Sequence, residues 1–241
     1  QNKMRVFKFG GASVKDEEGG INVVKVLTEM GHEDTLVVVS AMGKSTNAFE
    51  GVVDAYFEDP DSCKAALDDL EIFHQEIVQT LFNGAHGPVA KRVKNLCAQC
   101  ETFLANNRSP NRAFVYDQVV SFGELLSTSI ICAYLNHVGI AAEWVDARSC
   151  IKTDNCYRSA HLNWEQTQSA IQDQIQGNVL KVTQGFIASD MNNFTTTLGR
   201  EGSDYTAAIF AYCLGATDVT IWKDVQGVLN ADPRVFDKTQ L

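Results

Sequence analysis

The sequence has few of the features that mark several protein classes. Only 4 of its 241 residues are proline, which argues against a disordered or proline-rich chain. Lys and Arg number 20 against 30 Asp and Glu, and the formal net charge of −10 disfavours binding to phosphate backbones. No purely apolar run approaches the length of about 20 residues that a membrane helix needs. General nucleic-acid binding and a membrane span are therefore not predicted.

Cysteine is not scarce, but its pattern lacks the marks of a disulfide framework or a zinc site. The count of seven is odd, and no basic segment followed by an apolar stretch opens the chain. Cys97 and Cys100 form a single CxxC without a second pair, and the histidines are scattered. We therefore expect reduced thiols, a cytoplasmic protein and no metal site built from protein ligands alone.

Strand-like and helix-like patterns alternate along the chain. Strands are predicted at residues 4–9, 35–40, 113–116, 140–145, 179–186 and 218–222, from apolar and β-branched runs. Helices are predicted at residues 13–31, 123–139, 163–176 and 205–214, with two more between residues 61 and 107. This alternation is typical of one α/β domain with a mostly parallel sheet, helices on both faces and ligand sites at the carboxyl ends of the strands.

The first predicted strand ends in Lys8-Phe9-Gly10-Gly11. Adjacent glycines let backbone N–H groups approach an anion, and a lysine adds a full positive charge, which suits a polyphosphate. No G-x-G-x-x-G follows the strand, so a dinucleotide fingerprint is absent. By itself the glycine pair is equally well explained as a simple turn.

Two further polar segments follow predicted strands. Ser40 and Thr46 belong to a hydroxyl-rich loop, although Val38 replaces the glycine that a P-loop requires, and Thr46 also suits a helix cap. Residues 199–204 combine glycines, an arginine and a Ser-Asp pair, which favours a ligand loop over packing. Glu124, at the start of a predicted helix, is explained on chemistry alone by the helix dipole.

Five segments together resemble the aspartokinases of the amino acid kinase family. They are residues 8–14, 40–47, 121–124, 195–208 and 224–234, which occur in the family's order and span nearly the whole chain. The resemblance implies a three-layer αβα sandwich around a largely parallel, about eight-stranded sheet. It also implies transfer of the γ-phosphoryl group from ATP, with Mg²⁺, to the side-chain carboxylate of L-aspartate. That reaction is the first step of lysine, threonine and methionine biosynthesis.

The resemblance also implies a role for each matching residue. Lys8 stabilises the transferring phosphoryl group, Gly10 and Gly11 cradle it, and Asp204 organises Lys8 and the metal-bound phosphates. The remaining matches are Glu124 for the substrate ammonium, Arg200 for its α-carboxylate, Ser40, Thr46 and Ser203 for the aspartate pocket, and Lys223, Asp224 and Arg234 for ATP.

The family's catalytic region continues beyond the segment that ends near Arg234. We therefore expect residues 1–241 to form a catalytic domain truncated at its C-terminal end, without an ACT regulatory domain, from a protein that is a homo-oligomer when complete. Two alternatives stay open. One is another amino acid kinase, acting on glutamate, acetylglutamate, carbamate or UMP; the other is a catalytically silent module that binds aspartate or nucleotide. Glu124 with Arg200 favours a zwitterionic amino acid.

Overall fold

A computed structural model describes residues 4–84, 87–216, 218–223 and 232–237, with positions 218, 223 and 232–237 described by their backbone only. The strands are β1 (Arg5–Phe9), β2 (Thr35–Val39), β3 (Ala142–Val145), β4 (Leu180–Gln184), β5 (Ile187–Ser189), β6 (Thr195–Thr197), β7 (Asp218–Lys223) and β8 (Asp232–Asp237). The helices are α1 (Glu17–Met30), α2 (Ser45–Glu58), α3 (Cys63–Leu81), α4 (Pro88–Asn106), α5 (Arg112–Val120), α6 (Phe122–His137), α7 (Trp164–Gln174) and α8 (Gly202–Leu214).

The main sheet within the described residues has the strand order β3-β4-β2-β1-β7-β8. The first five strands in this order are parallel, and β8 runs antiparallel beside β7. A separate antiparallel pair, β5 and β6, accounts for the other two strands. The predicted α/β fold with a largely parallel sheet is confirmed, and its eight described strands divide between a six-stranded and a two-stranded sheet.

Two apolar clusters cover the two faces of this sheet. Phe7 and Phe9 of β1 pack with α1 to α6 on one face, whereas Val6 packs with α7 and α8 on the other. Side chains alternate between the faces of a strand, so this division follows directly from the pattern of β1. The helices thus form outer layers on both sides, as a three-layer αβα sandwich requires.

The prediction of a strand at residues 113–116 is wrong, because these residues lie in α5. The Asn111 side chain caps this helix by accepting hydrogen bonds from the backbone N–H groups of Ala113 and Phe114. The aromatic and β-branched run favoured a strand, but the cap and the burial of Val115 and Val119, four residues apart, stabilise a helix. Helix α1 was also predicted too early, since Asp16 caps it and it begins at Glu17.

The segment Arg112–His137, which contains α5 and α6, is long and apolar enough to cross a membrane by length and composition, with a mean hydropathy of 1.3. However, 78% of its most apolar window is buried inside the fold. Burial of this kind is typical of a central helix packed against a sheet. The segment therefore belongs to the protein core.

Candidate active site

The carboxyl ends of β1, β2 and β4 border a cleft of about 460 Å³. The beginnings of α6 and α8 also contribute to it. The cleft is lined by Lys8, Gly11, Ser40, Ala41, Gly43, Thr46, Glu124, Phe186, Gly199, Glu201, Gly202, Ser203 and Asp204. Because the strands are parallel, their polar end residues meet at one edge of the sheet, where α/β proteins bind ligands.

Lys8 and Asp204 form an ion pair in this cleft. Phe7 and Phe9 face the layer of α1 to α6, so the intervening Lys8 faces α8. Its Nζ lies 2.8 Å from Oδ1 of Asp204, in the first turn of α8. The pair holds a nearly buried ammonium group in a fixed position, and the helix dipole stabilises the carboxylate.

The two glycines after β1 permit close contacts. A Cβ atom at Gly10 would lie 3.0 Å from Lys8 Nζ, and one at Gly11 would lie 3.2 Å from the carbonyl oxygen of Ala41. The Gly10 carbonyl also accepts hydrogen bonds from the N–H groups of Ser13 and Val14. The glycine pair therefore forms a turn, and its second member, Gly11, lines the cleft, so the two interpretations of the sequence coexist.

Glu124 lies in the first turn of α6 and is 2% exposed. Its carboxylate accepts hydrogen bonds from its own N–H and from the N–H of Ala41, yet burial dominates and raises its pKa to about 8. Oε2 has no hydrogen-bond partner among the described residues. A buried carboxylate with a free oxygen at a cleft is suited to receive a cationic group of a ligand.

The hydroxyl groups predicted for the substrate pocket are partly linked to each other. The Ser40 hydroxyl donates to the Ser203 hydroxyl at 2.9 Å, which connects the end of β2 to the start of α8. Ser127 of α6 donates to the carbonyl oxygen of Ser40 at 2.7 Å. Thr46, in the first turn of α2, lines the same cleft. Hydrogen bonds among the end of β2, α6 and α8 therefore fix the positions of Ser40 and Ser203.

The sequence analysis missed Gly185 and Phe186, which follow β4. A Cβ atom at Gly185 would lie 2.5 Å from the Ser203 hydroxyl oxygen and 3.0 Å from the Ser203 Cα, so only glycine fits there. Phe186 has a φ of 79°, unusual for a residue with a side chain, and lines the cleft. A glycine near the end of the strand predicted at residues 179–186 was the signal available for this site.

Asp117 of α5 was also missed, because its neighbours were predicted as a strand. It is fully buried and accepts hydrogen bonds from the N–H of Arg158 and from both the N–H and the hydroxyl of Thr197, at 2.8–3.0 Å. Burial raises its pKa to about 7, against the effect of these bonds. Asp117 thus anchors the end of β6, two residues before Gly199 in the ligand loop.

Five of the predicted site residues are not placed in the cleft lining. Gly10 is outside it, although its neighbour Gly11 belongs to it. Arg200 is exposed and outside the lining, although its neighbours Gly199 and Glu201 belong to it. The side chains of Lys223 and Arg234, and the whole of Asp224, lie outside the described residues. Lys223 ends β7, which pairs with β1, and Arg234 lies in β8, where it pairs with Ile221 of β7. The backbones of Lys223 and Arg234 are therefore close to the site.

The ionisable groups that line the cleft are one cation, Lys8, and three acids, Glu124, Glu201 and Asp204, of which Glu124 largely keeps its proton at neutral pH because its pKa is raised to about 8. An anionic ligand such as a polyphosphate requires further positive charge here. Carboxylate oxygens that project into a cleft are the ligands that Mg²⁺ prefers. The carboxylates and the lysine of the cleft are therefore compatible with a polyphosphate that binds as its Mg²⁺ complex.

A second group of possible metal ligands lies outside the cleft lining. One ligand atom each from Asp154, Cys156 and His161 lies within 4.8 Å of the others, and Asp154 Oδ2 lies 2.8 Å from His161 Nδ1. The expectation that no metal-ligand set is present did not anticipate this cluster, because the chain turns back between Asp154 and His161. Cys156 and His161 are exposed, and the contact between Asp154 and His161 also makes an ordinary ion pair.

Comparison with known proteins decides the family. The model of the amino acid kinase family matches residues 3–241. The chain belongs to this family. Its fold is accordingly the amino acid kinase fold, and the cleft at the carboxyl ends of the strands is its candidate active site.

Relatives of this amino acid kinase domain are aspartokinases. It is 33% identical over 247 residues to the chloroplastic aspartokinase 3 of Arabidopsis thaliana, covering 96% of this chain and 42% of the relative. It is 32% identical over 235 residues to the lysine-sensitive aspartokinase 3 of Escherichia coli, covering 95% of this chain and 51% of the relative. The chain thus spans about half the length of such relatives.

The fold also matches solved structures of this group. Escherichia coli aspartokinase III in complex with aspartate and ADP superposes with a TM-score of 0.82 at 28% identity, covering 91% of this chain and 49% of that chain. The same enzyme with lysine and aspartate gives a TM-score of 0.81. The layered architecture described above is therefore shared with an aspartokinase whose ligands were observed directly.

Proposed function

We propose that this domain transfers the γ-phosphoryl group of ATP to the side-chain carboxylate of L-aspartate, giving 4-phospho-L-aspartate. One observation carries the proposal: the cleft holds the Lys8–Asp204 ion pair together with Glu124, a buried carboxylate that has a free oxygen. The first feature suits a transferring phosphoryl group, and the second suits the ammonium group of an amino acid. The similarity to aspartokinases over at least 95% of the chain supports the same assignment.

The acceptor and the residues present agree chemically. A carboxylate is already ionised at neutral pH, so the acceptor needs no general base. The obstacle is repulsion between an anionic acceptor and an anionic phosphate, and the Lys8 ammonium reduces it where negative charge develops. Gly10, Gly11 and the first turn of α8 offer backbone N–H groups to the phosphate oxygens.

Asp204 is proposed to organise the Lys8 ammonium and the metal-bound phosphates. When bound, Mg²⁺ neutralises charge on the phosphate oxygens. Lys223, Asp224 and Arg234 are proposed to contact the nucleotide. This part of the proposal rests on the family resemblance and on the pairing of β7 with β1, which brings the end of β7 beside the end of β1.

In the substrate pocket, Glu124 receives the ammonium group and Ser40, Thr46 and Ser203 contribute hydroxyls. Arg200 is proposed to bind the α-carboxylate with its guanidinium fork. Since Arg200 is exposed here and both its neighbours line the cleft, this role requires the side chain to turn inward when substrate binds. Arg200→Lys should then weaken aspartate binding more than ATP binding.

The product is expected to enter lysine, threonine and methionine biosynthesis. A cytoplasmic location is proposed from the seven unpaired cysteines, which suit a reducing compartment. Assembly into a homo-oligomer, and the role of residues 1–241 as the catalytic part of a longer enzyme, are proposed from the resemblance and from the length of the relatives.

The proposal is tested by trapping the acyl phosphate. The protein is incubated with ATP, Mg²⁺ and L-aspartate in hydroxylamine, and aspartyl hydroxamate is measured. Reactions with L-glutamate, carbamate or UMP as acceptor distinguish the other kinases, and Lys8→Ala should lower kcat by at least ~10²-fold. Titration calorimetry with aspartate is run in parallel on wild type and Glu124→Gln. No hydroxamate and no aspartate binding in the wild type would refute the assignment, whereas binding without turnover would favour a silent binding module.

A further inference from the structure

A second cavity, of about 390 Å³, adjoins the candidate active site through the first turn of α2. Thr46 of this turn lines the cleft, whereas its neighbours Lys44 and Ser45 line the second cavity. Ala48 of α2 and Ala66, Asp69, Leu70 and Phe73 of α3 complete the lining. The volume is within the range of small-molecule sites, and most of the lining is apolar.

The Ser45 hydroxyl is a buried polar group without a hydrogen-bond partner among the described residues. The residue as a whole is 3% exposed. Buried hydroxyl groups in native proteins nearly always have a partner, so an unpartnered hydroxyl at a cavity wall points to a ligand that supplies one.

The same wall favours a negatively charged group. Helix α2 has 14 residues, no side-chain cap at its N-terminus and no acidic residue in its first turn. The Lys44 ammonium stands directly before this turn and forms no ion pair in the part of the chain described. Backbone N–H groups, a hydroxyl and a lysine together suit a carboxylate.

The wall formed by α3 differs in charge. Asp69 is exposed and, among the residues described, takes part in no ion pair. The rest of the lining is apolar: Ala48 on α2, and Ala66, Leu70 and Phe73 on α3. A ligand complementary to this lining has a carboxylate for the Lys44 and Ser45 side, an ammonium group for Asp69, and an apolar body between them.

We propose that this cavity is a second ligand site for a zwitterionic α-amino acid with an apolar side chain. Its carboxylate accepts hydrogen bonds from the Ser45 hydroxyl, the first-turn N–H groups of α2 and the Lys44 ammonium. Its ammonium group faces Asp69, and its side chain packs against Leu70 and Phe73. The site stands on residues outside the catalytic cleft, so it does not depend on the identity of the phosphoryl acceptor.

The test uses L-leucine as the probe and titration calorimetry with ligand-observed NMR as the readout. Two analogues dissect the charges: 4-methylpentanoate lacks the ammonium group, and 3-methylbutylamine lacks the carboxylate. We expect saturable leucine binding and at least about tenfold weaker binding of each analogue. Absence of saturable leucine binding at millimolar concentration, or equal binding of either analogue, overturns the proposal.

Ser45→Ala is the decisive variant, because it separates binding from stability. The hydroxyl has no partner in the fold, so its removal should leave Tm unchanged or higher while leucine binding falls by about tenfold. Lys44→Gln and Asp69→Asn should weaken leucine binding by a similar factor. Ala66→Trp should fill the cavity and abolish leucine binding. Unchanged leucine binding in Ser45→Ala and Ala66→Trp would refute the site.

Matched controls locate the binding. Lys94→Gln and Asp173→Asn make the same charge changes on α4 and α7, away from this cavity, and should leave leucine affinity unchanged. Glu124→Gln alters the catalytic cleft and should also leave it unchanged. If Glu124→Gln instead abolished leucine binding, the probe would be occupying the cleft, and the second site would be rejected.

Discussion

At the residue scale, the position of the Lys8 ammonium depends on the absence of a side chain two residues later. The Nζ atom lies 3.0 Å from where a Cβ of residue 10 would stand, and it is the flexible end of a long side chain. A methyl group at residue 10 would therefore displace the ammonium without displacing the backbone. The position of the Lys8 ammonium and the identity of residue 10 are therefore linked.

Gly10→Ala should therefore leave the fold intact and impair catalysis. We expect a Tm close to wild type and kcat lower by at least about tenfold, since the ammonium no longer lies where charge develops. Hydroxamate formation and thermal denaturation measure the two quantities. Wild-type kcat in a folded Gly10→Ala protein would show that the position of Lys8 is not critical.

Glu124 predicts a dependence of stability on pH. Its folded pKa of about 8 lies above its ordinary value of 4.5, so between these values the folded state retains a proton that the unfolded state has lost. The free energy of unfolding of wild type should fall as pH rises through this window, by at most ~1.4 kcal/mol per pH unit from this group.

Glu124→Gln should remove that contribution, so its stability relative to wild type should increase with pH over the same window. Urea denaturation of both proteins at several pH values measures the difference. Asp117, whose pKa is also raised, is present in both proteins and its effect cancels. A difference that does not vary with pH would mean that Glu124 titrates normally.

At the scale of elements, the site depends on how closely α8 approaches the end of β4. Gly185 and Ser203 bring these elements together, and the Ser203 hydroxyl in turn accepts the hydrogen bond from Ser40, the residue directly after β2. Asp117 adds a connection from α5 to β6. Neither contact is visible in any local pattern, because each joins segments far apart in the chain.

Gly185→Ala should push the start of α8 away from the sheet. The added Cβ would meet the Ser203 Cβ at 2.6 Å and its Cα at 3.0 Å, so backbone must move, and we expect a loss of about 1–3 kcal/mol of stability together with most of the activity. Gly51→Ala is the control, since Gly51 lies within α2 with nothing within 4 Å of an added Cβ, and it should stabilise by up to ~1 kcal/mol. Denaturant unfolding and hydroxamate formation provide the readouts.

At the scale of the whole molecule, the negative charge of the chain extends into the cleft. The formal net charge is −10, and the cleft lining adds three acids to one lysine. An unaccompanied polyphosphate would therefore meet a repulsive site. Positive charge must arrive with the ligand or from residues that are not part of the lining, such as Arg200.

We expect ATP binding to require a divalent cation. Replacing Mg²⁺ by EDTA should weaken ATP affinity by on the order of 10²-fold, because several repulsive contacts are then uncompensated. Calorimetry with ATP and with the Mg²⁺ complex measures this. Equal affinity for both forms would contradict the proposed role of Asp204, and aspartate binding without nucleotide serves as the metal-independent control.

Much of this protein is determined by local sequence. The alternation of strands and helices, the glycine turn after β1 and the polar segments at strand ends all follow from backbone preferences and hydrophobic periodicity, which act over a few residues. They sufficed to predict the sheet and the edge of it where the cleft lies, whereas the family was predicted from the resemblance of five motifs. Residues 113–116 show the limit, since the same apolar run suits a strand or a buried helix, and the cap at Asn111 decided between them.

Only the tertiary structure decided which polar residues share a cleft and in what state. The pKa of Glu124 depends on burial beneath segments distant in sequence, and the pairing of Lys8 with Asp204 depends on the register of β1 against α8. The collision that excludes any side chain at Gly185, and the unpaired hydroxyl of Ser45, likewise arise from packing between elements. Electrostatic and steric terms of this kind are set by distances in space, which local pattern does not encode.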